Sequence, residues 1–119
     1  MKLKICVLVL LALFTNLTAK DYECRPIDKI SLGIHLDITH QYIKDKFFSY
    51  EYNHDTYIQD VGKFRVYTNK RMGYEVSKSV EPVVEHQGLK GYAVVMKNDK
   101  VMVQMVCMDY KLLQKMRGE

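Results

Sequence analysis

Ile30-Ser31-Leu32-Gly33-Ile34-His35-Leu36-Asp37-Ile38, with the run on to Phe47, is the stretch whose reading decides the fold. Leu32, Leu36, Ile43 and Phe47 recur at i, i+4, i+11 and i+15, which is the stripe of an amphipathic helix. Ser31 stands where an N-cap side chain accepts the first free backbone amides of such a helix. The same residues also alternate. Ile30, Leu32, Ile34, Leu36 and Ile38 are apolar with a period of two, as in a half-buried strand. Periodicity leaves both readings open, with a helix over residues 32–46 narrowly in front.

Downstream the pattern is strand-like. Phe48-Ser49-Tyr50-Glu51-Tyr52 is aromatic and alternating, as is Lys63-Phe64-Arg65-Val66-Tyr67. Gly73-Tyr74-Glu75-Val76 follows a basic turn, Asn69-Lys70-Arg71-Met72. Tyr92 to Met96 and Val101 to Cys107 are the strongest strand signals. Asn98-Asp99 between them reads as a tight hairpin turn, because both residue types tolerate positive φ. Glu81-Pro82 and Gly88-Leu89-Lys90-Gly91 mark a long loop. The basic tail from Asp109 to Glu119 has Leu112, Leu113 and Met116 at helical spacing and reads as a short helix or a frayed end. One helix followed by antiparallel strands is an α+β layer pair.

The chain opens with a basic start (Lys2, Lys4), an apolar run from Ile5 to Phe14, and polar and small residues up to Ala19. This is the pattern of a secretory leader cleaved after Ala19, and the run is too short to span a bilayer of ~30 Å. Cys6 and the Asn16-Leu17-Thr18 sequon leave with it. The expected organisation is a signal peptide over 1–19 and a single domain over 20–119, without a membrane anchor. Losing Lys2 and Lys4 lowers the formal net charge from +4 to +2, too small an excess to argue for nucleic acid. In an oxidising route the two remaining cysteines, Cys24 and Cys107, are expected to pair. Closing so long a loop is worth up to ~4.5 kcal/mol in the chain-entropy model.

Candidate chemistry is sparse. No Cys or His pair has metal-ligand spacing, so no metal or cofactor is expected. His35 and His40 lie five apart on the expected helix, and His54 and His86 fall in expected loops. These four histidines read as scattered surface residues. Lys63, Arg65, Lys70 and Arg71 cluster around one strand and turn near Tyr67. Such a basic, aromatic patch can hold single-stranded RNA by phosphate contact and base stacking, although an ordinary solvated hairpin is the plainer reading. Glu75 reads as a paired surface or groove carboxylate. The nine tyrosines suit both strands and interfaces.

Tyr22-Glu23-Cys24 near the mature N-terminus, a single late cysteine, about one hundred residues and a helix before a sheet together resemble the RNase-like effectors of powdery-mildew fungi, the RALPH group. Ile30-Ser31, Lys63-Phe64, Gly73 to Val76 and the closing hairpin from Gly91 to Cys107 carry the resemblance further. It implies one helix packed on a curved antiparallel β-sheet, ribonuclease-like, with one disulfide, and it favours helix over residues 32–46. It also implies a monomeric, secreted protein translocated into plant cells, where it binds a host protein, an immune receptor or RNA. The ribonuclease positions fall on Gly62, Glu75, Ala93 and Cys107 or Met108. Only Glu75 matches, and a lone carboxylate cannot serve as both base and acid. The expectation is therefore a pseudo-ribonuclease that works by binding. Its candidate surface comprises Lys63, Arg65, Tyr67, Lys70, Arg71, Met72, Glu75, His86 and Lys90. The alternative is a small bacterial periplasmic inhibitor or immunity protein.

Overall fold

The computed structural model describes residues 20–27 and 33–118. Ser31, the expected helix cap, lies outside the described residues, as do the expected leader and its sequon. The expected helix over 32–46 is not formed. Its described part makes strands β2 (Ile34–Ile38) and β3 (Tyr42–Lys44), joined by a turn at Thr39. There the Thr39 hydroxyl oxygen accepts the amides of Gln41 and Tyr42, and the Thr39 amide donates to the Tyr42 carbonyl. The period of two prevails because Leu36, Ile38 and Ile43 all find an apolar interior, each at most 7% exposed. A helical stripe would have needed Phe47 on its buried face, and Phe47 is 82% exposed.

The remaining strands are β1 (Lys20–Pro26), β4 (Ser49–Ile58), β5 (Gly62–Asn69), β6 (Tyr74–Ser79), β7 (Val84–His86), β8 (Leu89–Lys97) and β9 (Met102–Asp109). All pairings are antiparallel. The order β6-β5-β4-β3-β2-β1-β9-β8 closes on itself through β6–β8, forming an eight-stranded barrel, and β7 adds to the free part of β8. This overturns the α+β, ribonuclease-like expectation. Among the described residues no helix packs on an open sheet, because closure already covers the apolar face.

The barrel interior is filled by Tyr22, Cys24, Leu36, Ile38, Ile43, Tyr50, Tyr67, Val76, Val94, Met105 and Cys107. Burying each large apolar side chain stabilises the fold by about 1.5–3 kcal/mol. On β5 the inward residue is Tyr67, paired with Val76 of β6, whereas Phe64 and Val66 are buried on the opposite face. The disulfide expected from the sequence is present. Cys24 and Cys107 are directly opposed in the β1–β9 ladder, with Cα atoms 4.0 Å apart and no exposed surface. The bridge therefore joins the first and last strands of the barrel wall.

Two connections differ in mechanism from the sequence reading. The expected long loop contains the β7–β8 hairpin, whose turn places Gln87 at φ 53° and Gly88 at φ 81°. Gly91, buried on β8, lies so close to β7 that an added Cβ would stand 2.6 Å from the Val84 side chain. The β8–β9 turn forms at Asn98 as expected, but not through positive φ. Instead the Asn98 side-chain oxygen accepts the amides of Lys100 and Val101, both at 2.8 Å. The tail resolves as helix α1 (Tyr110–Met116), N-capped by the Asp109 carboxylate, which accepts the amides of Lys111 and Leu112. Arg117 ties its far end to Glu23 of β1 at 3.0 Å.

Candidate basic mouth of the barrel

The strand register gathers charge at one end of the barrel. On β6 the inward series Tyr74, Val76, Lys78 begins apolar and ends in a cation. Lys78 faces Arg65 of β5 directly across the ladder and Val94 of β8 on its other side. Both cations belong to the inward register that Tyr67, Val76 and Val94 fill deeper in. Lys20, the first residue of β1, precedes the buried Tyr22 in the same register and brings a third cation to this rim.

Aromatic rings line the Lys78 side chain. Its Nζ lies 3.9 Å from the centroid of the Tyr92 ring and 5.8 Å from that of Tyr22, and these two rings meet edge to face at 6.1 Å. Its one side-chain hydrogen bond among the described residues is donated to the Ser79 carbonyl at 3.1 Å. Arg65 lies over the Tyr52 ring at 5.5 Å and donates to the His40 carbonyl at 3.2 Å. Neither cation makes an ion pair within 4.0 Å among the described residues.

Two carboxylates lie close by, and both are engaged. Asp55, the ladder partner of Arg65 on β4, accepts hydrogen bonds from the Tyr52 hydroxyl at 2.8 Å and from Lys63 at 3.1 Å; these bonds, with the charges of Lys63 and Arg65, hold its carboxyl below the usual range. Asp109, opposite Tyr22 in the β1–β9 ladder, caps α1. The electrostatic result is asymmetric. Loss of water, then Arg65, then Lys20 push the Lys78 ammonium down to about 8 from its ordinary 10.5. Burial, then Tyr92 and Asp109, push the Tyr22 hydroxyl up to about 12. A cation in an aromatic setting without a counter-ion costs stability unless something anionic joins it.

The residues singled out from sequence do not form one surface. Lys63 and Arg65 reach the mouth, but Lys63 is spent on Asp55. Tyr67 is 1% exposed, and its hydroxyl donates to the Thr39 carbonyl at 2.8 Å, so it is core rather than contact surface. Lys70, Arg71 and Met72 lie exposed in the β5–β6 turn at the opposite end of those strands, where the Asn69 side chain accepts the amides of Arg71 and Met72. Glu75 also lies toward that end, paired with Lys97 of β8 at 3.1 Å. His86 and Lys90 sit exposed on the β7–β8 hairpin. His35 is drawn to Asp21 at 3.1 Å and meets the Tyr110 ring of α1. A shallow groove lined by Gln41, Tyr42, Lys44, Ser49, Glu51 and Tyr52 holds Lys44 over the Tyr42 ring.

Sequence reasoning missed Lys78 altogether. A signal for it exists in Tyr74-x-Val76-x-Lys78, where a lysine takes the third place in an apolar alternation. Among the described residues there is no group of three or more His, Cys, Asp or Glu side chains arranged to hold a metal ion. None of their helices is long and apolar enough to cross a membrane. Comparison with family models, with curated proteins and with solved structures finds no match to the chain.

Proposed function

We propose that the mature chain is a secreted, disulfide-stapled barrel that works by binding rather than catalysis, and that it seats an organic anion at the Lys78 end. The observation that supports this most directly is the Lys78–Arg65 cross-strand pair. Like charges directly opposite one another are destabilising, and here they share an inward face walled by Tyr22, Tyr92 and Tyr52. Arg65 has Asp55 as its other ladder partner, so Lys78 is the cation left without a carboxylate, and an anion entering beside it supplies the missing counter-charge. The tyrosine rings supply flat apolar surface for the rest of the ligand.

Titration with glycolate, followed by NMR, tests the reading. Saturable shifts at Lys78, Arg65, Tyr22 and Tyr92 are expected, with Kd about 1 mM for so small a probe. They should weaken as salt rises and disappear in Lys78→Met. Shifts confined to other lysines, or none at all, count against it. We place this binding in the plant host cell on the strength of the Tyr22-Glu23-Cys24 resemblance, without the ribonuclease scaffold. Expression of the leaderless domain in leaves of several host genotypes checks that setting. A cell-death response in some genotypes that Lys78→Met abolishes supports it, and no response in any genotype favours the periplasmic alternative.

A further inference from the structure

We infer that the end of the barrel opposite the Lys78 mouth docks onto an anionic lipid bilayer, lying against its surface without crossing it. Three successive hairpins turn back at that end, β3–β4, β5–β6 and β8–β9. In each, an Asp or Asn side-chain oxygen accepts two amides of its own turn. Asp45 takes those of Phe47 and Phe48, Asn69 those of Arg71 and Met72, and Asn98 those of Lys100 and Val101. Each turn then presents the same chemistry, a cation followed by large apolar side chains: Lys46-Phe47-Phe48, Lys70-Arg71-Met72 and Lys100-Val101-Met102. All five apolar side chains are exposed, and Phe47, Val101 and Met102 are more than half exposed. Ties between neighbouring strands join the turns into one surface. The Asn69 side-chain amide donates to the Ser49 carbonyl, next to Phe48, at 2.9 Å, and Lys97 of β8 pairs with Glu75 of β6 at 3.1 Å.

Apolar side chains gathered at the turns of one end mark an interaction surface, and the charge beside them selects the partner. Lys46, Lys70, Arg71 and Lys100 are exposed and make no ion pair within 4.0 Å among the described residues. Against these four cations the turns hold two carboxylates, Asp99 and the half-buried Asp45, which is turned to its own amides. Behind the tips Glu75 is neutralised by Lys97. Farther up the wall Lys44 faces Asp37 across the β2–β3 ladder, and Glu51 stands exposed. The tips are therefore net positive. A second copy docked on this end would bring cations against cations, which disfavours self-association there. Single-stranded nucleic acid needs aromatic platforms for its bases, and beyond the Phe47–Phe48 pair the tips are aliphatic. An anionic bilayer suits both properties. Its headgroups attract Lys and Arg, and the boundary of its acyl chains takes up the apolar tips. Because Asp45, Asn69 and Asn98 already satisfy the tip amides, those amides lose little when water leaves. Docking here leaves the Lys78 mouth facing away from the lipid.

The test is cosedimentation of the disulfide-bonded protein with phosphatidylcholine vesicles containing about one-third phosphatidylserine. Binding to these vesicles should exceed binding to pure phosphatidylcholine about tenfold, and it should weaken as salt rises. Phe47→Ser should lower the partition coefficient about tenfold through lost apolar burial, and Lys70→Glu about tenfold through reversed charge. Both side chains are exposed, so the two variants should keep the wild-type thermal melt. Tyr57→Ser is the control. Tyr57 is 75% exposed on the β4–β5 hairpin at the other end of the strands, and its loss should leave vesicle binding unchanged. A folded wild type that sediments with neither vesicle, or equally with both, overturns the inference. So does a dimer, or a complex with a single-stranded oligonucleotide, that depends on Phe47 while vesicles are not bound. Equal losses in Phe47→Ser and Tyr57→Ser also overturn it, because they show no preferred end.

Discussion

Replacing Lys78 by Met removes the charge while keeping a side chain of similar length, and it should reshape how stability depends on pH. Folding lowers the Lys78 ammonium from 10.5 to about 8. Below pH 8 both the folded and unfolded chains carry the proton, so the cost of holding the cation in the mouth is fully present. Between about pH 8 and 10.5 the folded chain releases its proton while the unfolded chain retains it, and stability rises with pH. At 1.36 kcal/mol per unit, a shift of about 2.5 units corresponds to about 3 kcal/mol. Lys78 keeps part of its surface in solvent, which screens part of this, so about 2–3 kcal/mol is the expected gain. Tyr22 acts oppositely. Its folded value of about 12 lies above the ordinary 10, so its contribution is complete below pH 10 and fades as pH rises through 12. Wild-type stability should therefore climb from neutral pH to a maximum near pH 10. Urea unfolding at about pH 7, 8.5 and 10 measures this directly. The Lys78→Met variant should lack the climb, so its advantage over wild type shrinks by about 2–3 kcal/mol across that range. Parallel pH profiles for the two proteins would refute the assignment of Lys78 as a poorly hydrated, unpaired cation.

Cys24→Ser should cost about 2–5 kcal/mol, and thiol labelling of the folded wild type without reductant should find neither Cys24 nor Cys107. Gly91→Ala forces a Cβ against Val84, a stiff β-branched neighbour, and should cost about 1–3 kcal/mol by thermal unfolding. Asp109→Ala removes the α1 cap at about 1 kcal/mol. Amide exchange should accelerate over residues 110–116, and because that helix contributes no buried residue the barrel melt should move little. Incubation with a guanosine-containing oligonucleotide should show no cleavage. Turnover lost in Glu75→Gln would contradict the non-catalytic reading.

How far the sequence reaches is visible element by element. The strands at Tyr50, Phe64, Tyr74, Val94 and Met105 could be read from period-two alternation, because side-chain direction in a strand is local. The pairing of Cys24 with Cys107 followed from cysteine number and from the oxidising compartment that the leader pattern led one to expect. Turn positions at Asn69 and Asn98 were also legible, since a short polar side chain in the right place satisfies neighbouring amides whatever lies farther off. The stretch from Leu32 to Phe47 was not decided locally, because the same leucines and isoleucines fit both periods. What settled it was non-local. β2 pairs with β1, and β1 lies beside β9 from the far end of the chain. Nor could a single strand reveal that Lys78 and Arg65 face inward. That depends on which of the two faces of β5 and β6 the closed barrel turns toward its axis, and the choice was fixed by Tyr67 and Val76 meeting across the ladder. A charged mouth arises from the register of several strands at once, and register belongs to the tertiary structure because every pairing that sets it joins residues distant in sequence.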